Sequence, residues 1–155
     1  MINGAVAPFK QFQMKTAPIL FYVDDDADDL MIFEIAAEAV GATASLFADG
    51  DLLLHSLNHP PPIPSVVFVD LNMPRISGYD IIREMKASDR LKDIPIVILS
   101  TASDALNIRK SRNMGANYYI TKPTSLENLK RAIAHTLKID WATFAPSDAT
   151  FVHRD

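Results

Sequence analysis

The chain has 155 residues, of which 48% are hydrophobic and 22% charged, so its length and composition suit one ordinary globular domain with its own core. The formal net charge of -4 is mild and comes with no basic stripe, so nucleic acid is not a predicted partner. The absence of cysteine excludes disulfides and thiolate metal sites, and it is compatible with a reducing cytoplasm.

The first predicted element is a short apolar run, Ile19–Val23, which leads directly into Asp24, Asp25 and Asp26. Five apolar residues followed by acids are far too short for a signal sequence or a membrane span. We therefore expect a cytoplasmic protein that has no membrane partner.

The same kind of apolar run recurs along the chain. Val66–Val69 ends at Asp70, and residues 96–99 end at Ser100. Weaker versions occupy residues 42–48 and 117–121. Uninterrupted apolar runs of this length are typical of strands that are buried on both faces of a parallel sheet.

Helical patterns lie between these predicted strands. The pattern after the first strand repeats its apolar residues at nearly 3.6-residue spacing, and Gly41 provides a stop. We expect five helices, over residues 28–40, 49–57, 79–87, 103–113 and 125–137. Strands that alternate with helices predict an α/β fold with a five-stranded, parallel, doubly wound sheet. We assign this domain to residues 18–138, between an N-terminal arm (1–17) and a C-terminal tail (139–155).

Polar residues follow the predicted strands at the positions where each strand ends. Asp24 and Asp25 follow the first strand, Asp70 the third, Ser100 the fourth and Lys122 the fifth. In a doubly wound sheet these carboxyl ends meet at one edge, where ligands bind. Crowded carboxylates repel each other unless a cation joins them, and an all-oxygen site suits Mg²⁺. An aspartate beside such a metal is a candidate nucleophile for phosphoryl transfer.

The motifs at these strand ends resemble those of the response-regulator receiver domain of bacterial two-component signalling. The resemblance spans about residues 19–138. It is carried by five segments in order: YVDDD (22–26), VDLNMPRISG (69–78), LSTA (99–102), GA (115–116) with Tyr119, and KP (122–123). Each segment alone is a weak signal, but all five in this order are highly specific.

The resemblance implies a flavodoxin-like strand order 2-1-3-4-5 and a set of residue roles. Asp70 matches the phosphoacceptor and is also implied to be one of the Mg²⁺ ligands. Asp25 is implied to bind Mg²⁺ directly and Asp24 mainly through water, while Asn72 offers its backbone carbonyl. Lys122 is implied to contact the phosphoryl group.

Further positions are implied to take part in switching. Ser100 matches the hydroxyl that turns towards the phosphoryl group, although its neighbour Thr101 offers a competing hydroxyl. Tyr119 matches the aromatic residue that moves with it, although simple packing accounts for such a tyrosine equally well. The Lys122–Pro123 bond is implied to be cis, and Gly78 to allow a sharp exit from the loop after the third strand.

Two further expectations concern the ends of the domain. In the acidic run, Asp28 is expected to cap the first helix, with Asp26 left without a role. In the tail, Trp141, Phe144 and Phe151 are expected to fold back on the domain.

The resemblance implies a stand-alone switch and not a turnover enzyme, one that catalyses its own phosphoryl transfer and its own dephosphorylation. Its donor is a sensor histidine kinase or a histidine phosphotransfer protein. Output passes to an unknown protein or through a homodimer. The surface expected to change comprises residues 103–113, Tyr118, Tyr119 and 125–137.

Three alternatives stay open at this point, and flavin binding is the most remote of them. A pseudo-receiver would keep the fold as a constitutive interaction module and would not be phosphorylated. A metal-dependent phosphohydrolase would need a substrate pocket and an acid or base for turnover, and the sequence indicates neither.

Overall fold

The computed structural model describes residues 16–154, so nearly all of the predicted N-terminal arm (1–17) lies outside the described residues. Five strands alternate with five helices. The strands are β1 Ile19–Val23, β2 Thr43–Phe47, β3 Val66–Val69, β4 Ile96–Ser100 and β5 Tyr118–Thr121. The helices are α1 Ala27–Ala39, α2 Gly50–Leu57, α3 Gly78–Lys86, α4 Ala105–Met114 and α5 Leu126–Lys138.

All strand pairs are parallel, and the strand order is β2-β1-β3-β4-β5. This order confirms the predicted doubly wound sheet. The chain runs outward to β2 and then returns past β1 to β3, so the order reverses between β1 and β3. Ligand sites of such sheets lie at this reversal, beyond the carboxyl ends of the strands.

The sheet separates two hydrophobic clusters because successive strand residues point to opposite faces. On one face, residues such as Phe21, Val67 and Ile98 pack with residues of α2 and α3. On the other face, their strand neighbours, such as Tyr22 and Phe68, pack with residues of α1 and α5. This burial on both faces explains why β1, β3 and β4 read as continuous apolar runs.

The start of α1 corrects one expectation from the sequence. Its N-cap is Asp26, whose carboxylate accepts the backbone N–H of Asp28 at 2.9 Å and of Asp29 at 3.1 Å. The assignment of this cap to Asp28 was wrong, as was the view that Asp26 has no role. Asp26 has the extended backbone that a cap needs, and the helix begins directly after it at Ala27.

A second correction concerns a peptide bond. The cis bonds within residues 16–154 are Pro60–Pro61 and Pro61–Pro62. The Lys122–Pro123 bond is therefore trans, and the expectation of a cis bond there was wrong. Trans is the intrinsically favoured isomer of such bonds.

The tail packs on the domain, as predicted. Phe151 is buried in the α2/α3 cluster, and Trp141 and Phe144 pack against the α1/α5 cluster. Val152 forms a parallel bridge with Tyr119, so the tail extends the sheet beyond β5. No helix in the described part of the chain is long and apolar enough to cross a membrane.

Candidate functional site

Three carboxylates meet where β1 and β3 end. One oxygen each from Asp24, Asp25 and Asp70 lies within 4.8 Å of the other two. Asp24 and Asp70 are buried, whereas Asp25 is exposed. The pairing of Val23 with Val69 places the two strand ends level, so the residues that follow them are neighbours. We call these three aspartates the acidic site.

Asp24 is the most constrained member of the acidic site. Its Oδ1 accepts the backbone N–H of Asp26 at 3.0 Å, and its Oδ2 accepts a short hydrogen bond from the Tyr22 hydroxyl. The same Oδ2 also accepts a hydrogen bond from Lys122 Nζ at 2.7 Å. Tyr22 was not predicted as a site residue. Its place inside an apolar strand gave no signal that its hydroxyl reaches the carboxylate two residues on.

Lys122 extends from the end of β5 into a group of acids. Its Nζ lies 2.8 Å from Asp29 Oδ2 and 3.7 Å from Asp70 Oδ1, in addition to its bond with Asp24. Burial alone would lower the pKa of Lys122, but the surrounding carboxylates outweigh it and raise that pKa above its ordinary value. Lys122 therefore carries a fixed positive charge beside the acidic site.

The acidic site is electrostatically unfavourable as it stands. The pKa of Asp70 is raised from 3.8 to about 6, chiefly by burial and next by the charge of Asp24. Lys122 and a backbone hydrogen bond from Asn72 oppose the rise without cancelling it. A divalent cation among these oxygens would supply the missing positive charge, and the all-oxygen donor set fits Mg²⁺.

Ser100 and Thr101, which sequence reasoning left in competition, point to different environments. Ser100 is buried at the end of β4, and its Oγ accepts the backbone N–H of Ala102 at 3.3 Å. Thr101 is exposed. Tyr119 is also buried, and its hydroxyl donates to the carbonyl of Ala102 at 2.5 Å. Ser100 and Tyr119 are therefore both hydrogen-bonded to the backbone of Ala102, in the loop that follows β4.

Gly78 holds the loop after β3 against the site. Its N–H donates to the Leu71 carbonyl at 3.0 Å. A Cβ at this position would lie 2.4 Å from the carbonyl oxygen of Asp70. The glycine is required by this close approach, and the sharp exit expected from the sequence is present.

Fold and site together define a class: a parallel α/β domain with an acidic, cation-compatible site and a lysine at its strand-order reversal. The family model described as "Response regulator receiver domain" matches residues 20–134. The chain belongs to this family of two-component signalling proteins.

Individual relatives agree with this assignment. The chain is 31% identical over 121 residues to "Probable methanogenesis regulatory protein FilR2" of Methanothrix harundinacea, covering 74% of this chain and 78% of that protein. It is 27% identical to "Two-component response regulator ORR5" of Oryza sativa subsp. japonica, over 79% of this chain and 90% of that one. A relative in rice shows that family membership alone does not indicate a bacterial source.

A solved structure is similar as well. The "Phosphorylated Cyanobacterial Phytochrome Response Regulator RcpA" superposes with a TM-score of 0.71 at 26% identity. The match covers 84% of this chain and 98% of that chain.

Proposed function

We propose that the chain is a phosphorylation-dependent switch that accepts a phosphoryl group on Asp70 with Mg²⁺ bound beside it. The donor is the phosphohistidine of a sensor histidine kinase or of a histidine phosphotransfer protein. The observation that supports this most is the meeting of Asp24, Asp25 and Asp70 oxygens within 4.8 Å, with the Lys122 ammonium 3.7 Å from Asp70. The phosphorylated state of the similar RcpA is consistent with it.

Each residue has a defined task in this proposal. An oxygen of Asp70 attacks phosphorus while the bond from phosphorus to the donor nitrogen breaks, which leaves an acyl phosphate on Asp70. Asp24, Asp25, Asp70 and the backbone carbonyl of Asn72 would hold the Mg²⁺, which when bound would offset the charge of the carboxylates and of the phosphoryl oxygens. Lys122 neutralises a further phosphoryl oxygen.

The change spreads through Ser100 and Tyr119. A phosphoryl oxygen on Asp70 offers Ser100 Oγ a charged acceptor, and Ser100 shares the Ala102 backbone with the Tyr119 hydroxyl. The output surface comprises α4, β5 and α5, and signals pass to a partner protein or through a homodimer. The chain acts on its own phosphoryl group and not as a turnover enzyme. A preference of a few kcal/mol for the active state would shift the population decisively.

Incubation with acetyl phosphate and Mg²⁺, followed by phosphate-affinity electrophoresis and intact mass, tests the proposal. We expect the wild type to gain one phosphoryl group when Mg²⁺ is present. Neither the wild type without Mg²⁺ nor Asp70→Asn should gain it. Asp28→Asn is the matched control, since it removes one charge from an exposed position near the site. Wild-type protein that stays unmodified by acetyl phosphate and by a histidine kinase, while a control receiver is modified, would favour the pseudo-receiver alternative.

A further inference from the structure

Asp29 is an acidic residue that the proposed function does not use, yet it contacts a central group of the site. Its Oδ2 lies 2.8 Å from Lys122 Nζ, which is 0.9 Å closer than the 3.7 Å between that ammonium and Asp70 Oδ1. The Asp29 side chain is 37% exposed, compared with 1% for Asp24. Asp29 thus binds the lysine from its solvent side.

The position of Asp29 is set by the beginning of α1. The Asp26 cap accepts the backbone N–H of Asp29 at 3.1 Å, which places Asp29 in the first turn and directs its carboxylate towards the end of β5. Its neighbour Asp28 is bound by the same cap but is exposed and has no ion pair with Lys122 among the described contacts. The interaction with Lys122 therefore depends on which residue of this turn carries the acid.

We propose that Asp29 is a positioning residue that holds the Lys122 ammonium on the α1 side of the site and so opposes its transfer to a phosphoryl group on Asp70. This inference rests on the proposed function, because it concerns the same lysine and the same acceptor.

The reason is that Asp29 and a phosphorylated Asp70 compete for the same ammonium group, that of Lys122. Lys122 already donates to Asp24 and to Asp29 at hydrogen-bonding distances, whereas Asp70 lies beyond such a distance. An anionic group on Asp70 draws the ammonium towards β3, which lengthens its contact with Asp29. Asp29 thus stabilises the unphosphorylated arrangement, and its removal favours the phosphorylated one.

Asp29→Asn tests this with Asp28→Asn as the matched control. Both variants remove one negative charge from the first turn of α1, but only the first weakens a contact with Lys122. Beryllofluoride, a mimic of the phosphoryl group, is titrated in saturating Mg²⁺. We expect Asp29→Asn to bind it about two- to five-fold more tightly than Asp28→Asn, the range set by a partly exposed ion pair.

Two further measurements separate positioning from a general structural effect. In a Lys122→Met background the difference between the Asn variants should vanish, as a double-mutant cycle requires. In metal-free protein, the Lys122 ammonium resonance should shift and broaden in Asp29→Asn, remain unchanged in Asp28→Asn, and be restored in Asp29→Glu.

The outcomes also separate this inference from the proposed function. Wild type that binds no beryllofluoride overturns the proposed function, and the ammonium resonance still decides whether Asp29 holds Lys122. Wild type that binds, with equal affinities for the two Asn variants or an unchanged Lys122 resonance, overturns the role of Asp29 alone. An affinity difference that persists without Lys122 would overturn it too.

Discussion

The acidic site and the outer edge of β5 belong to the same sheet, but the first gathers groups that repel each other and the second pairs groups that attract each other. At the acidic site, Asp24, Asp25 and Asp70 bring like charges together with one lysine, Lys122, close by. At the edge of β5, the tail satisfies the backbone: Tyr119 N–H donates to the Phe151 carbonyl at 3.0 Å, and His153 N–H donates to the Tyr119 carbonyl at 2.8 Å.

The difference between the two regions locates function. At the edge of β5 the backbone is paired with the tail and Phe151 is buried, so this region requires no ligand for its stability. The acidic site keeps Asp70 at a raised pKa of about 6, which means that its ionised form is destabilised by its surroundings. A bound cation can stabilise the folded protein at such a site, because it relieves an unfavourable charge interaction that is already present.

The largest effect should come from the β5 edge. Phe151 is 1% exposed and contacts the Tyr119 ring, so Phe151→Ala should lower the free energy of unfolding by about 3–5 kcal/mol. Urea denaturation measures this, and hydrogen exchange should show loss of protection at the Tyr119 amide. Leu106→Ala on α4, where the side chain is 70% exposed, is the control and should stay within about 0.5 kcal/mol. Unchanged stability of Phe151→Ala would mean that the tail does not complete the sheet in solution.

The second effect belongs to the acidic site and has the opposite sign. The pKa of Asp70 is raised in the folded state, so the folded state binds this proton more readily than the unfolded chain does between about pH 4 and pH 6. The bound proton therefore stabilises the folded state below about pH 4. This contribution is lost as the pH rises through about 6, where the buried carboxylate ionises.

Asp70→Asn removes the carboxylate whose ionisation causes this loss. We expect it to raise the free energy of unfolding by on the order of 1–3 kcal/mol at pH 7.5 without Mg²⁺, and the gain to fade towards pH 4. Urea midpoints across this pH range test it, with the exposed Asp28→Asn as the control. A gain that does not depend on pH would contradict the electrostatic explanation.

The third effect concerns the loop between β3 and α3, which packs against the acidic site at Gly78. Gly78→Ala would place a Cβ 2.4 Å from the backbone oxygen of Asp70, so we expect a loss of about 1–3 kcal/mol and weaker Mg²⁺ binding. Gly50→Ala is the comparison variant, because Gly50 also begins a helix but its Cβ would lie 2.7 Å from a side-chain atom, Ile76 Cγ2, and not from the backbone of the acidic site, so its Mg²⁺ binding should be unchanged. Thermal unfolding and Mg²⁺ titration should separate the two variants; equal effects in both would argue against a requirement at Gly78.

Much of this molecule could be predicted from local patterns. The apolar runs before Asp70 and Ser100 identified β3 and β4, because a strand buried on both faces has few polar alternatives. The meeting of Asp24, Asp25, Asp70 and Lys122 also followed, since parallel strands place their carboxyl ends together.

Other features were decided only by tertiary structure. The cap at Asp26 depended on where α1 begins, and adjacent acids in one run do not distinguish the possible starts. The pairing of Asp29 with Lys122 depends on the relative positions of α1 and the end of β5. The hydrogen bond from Tyr22 to Asp24 and the Lys122–Pro123 isomer are local features, but the apolar and acidic patterns of the sequence do not specify either of them. The bridge between Val152 and Tyr119 arises because β5 leaves an open sheet edge, which a short apolar segment of the tail can pair with. Local patterns encode periodicity and burial, whereas such contacts depend on distances between elements far apart in the chain.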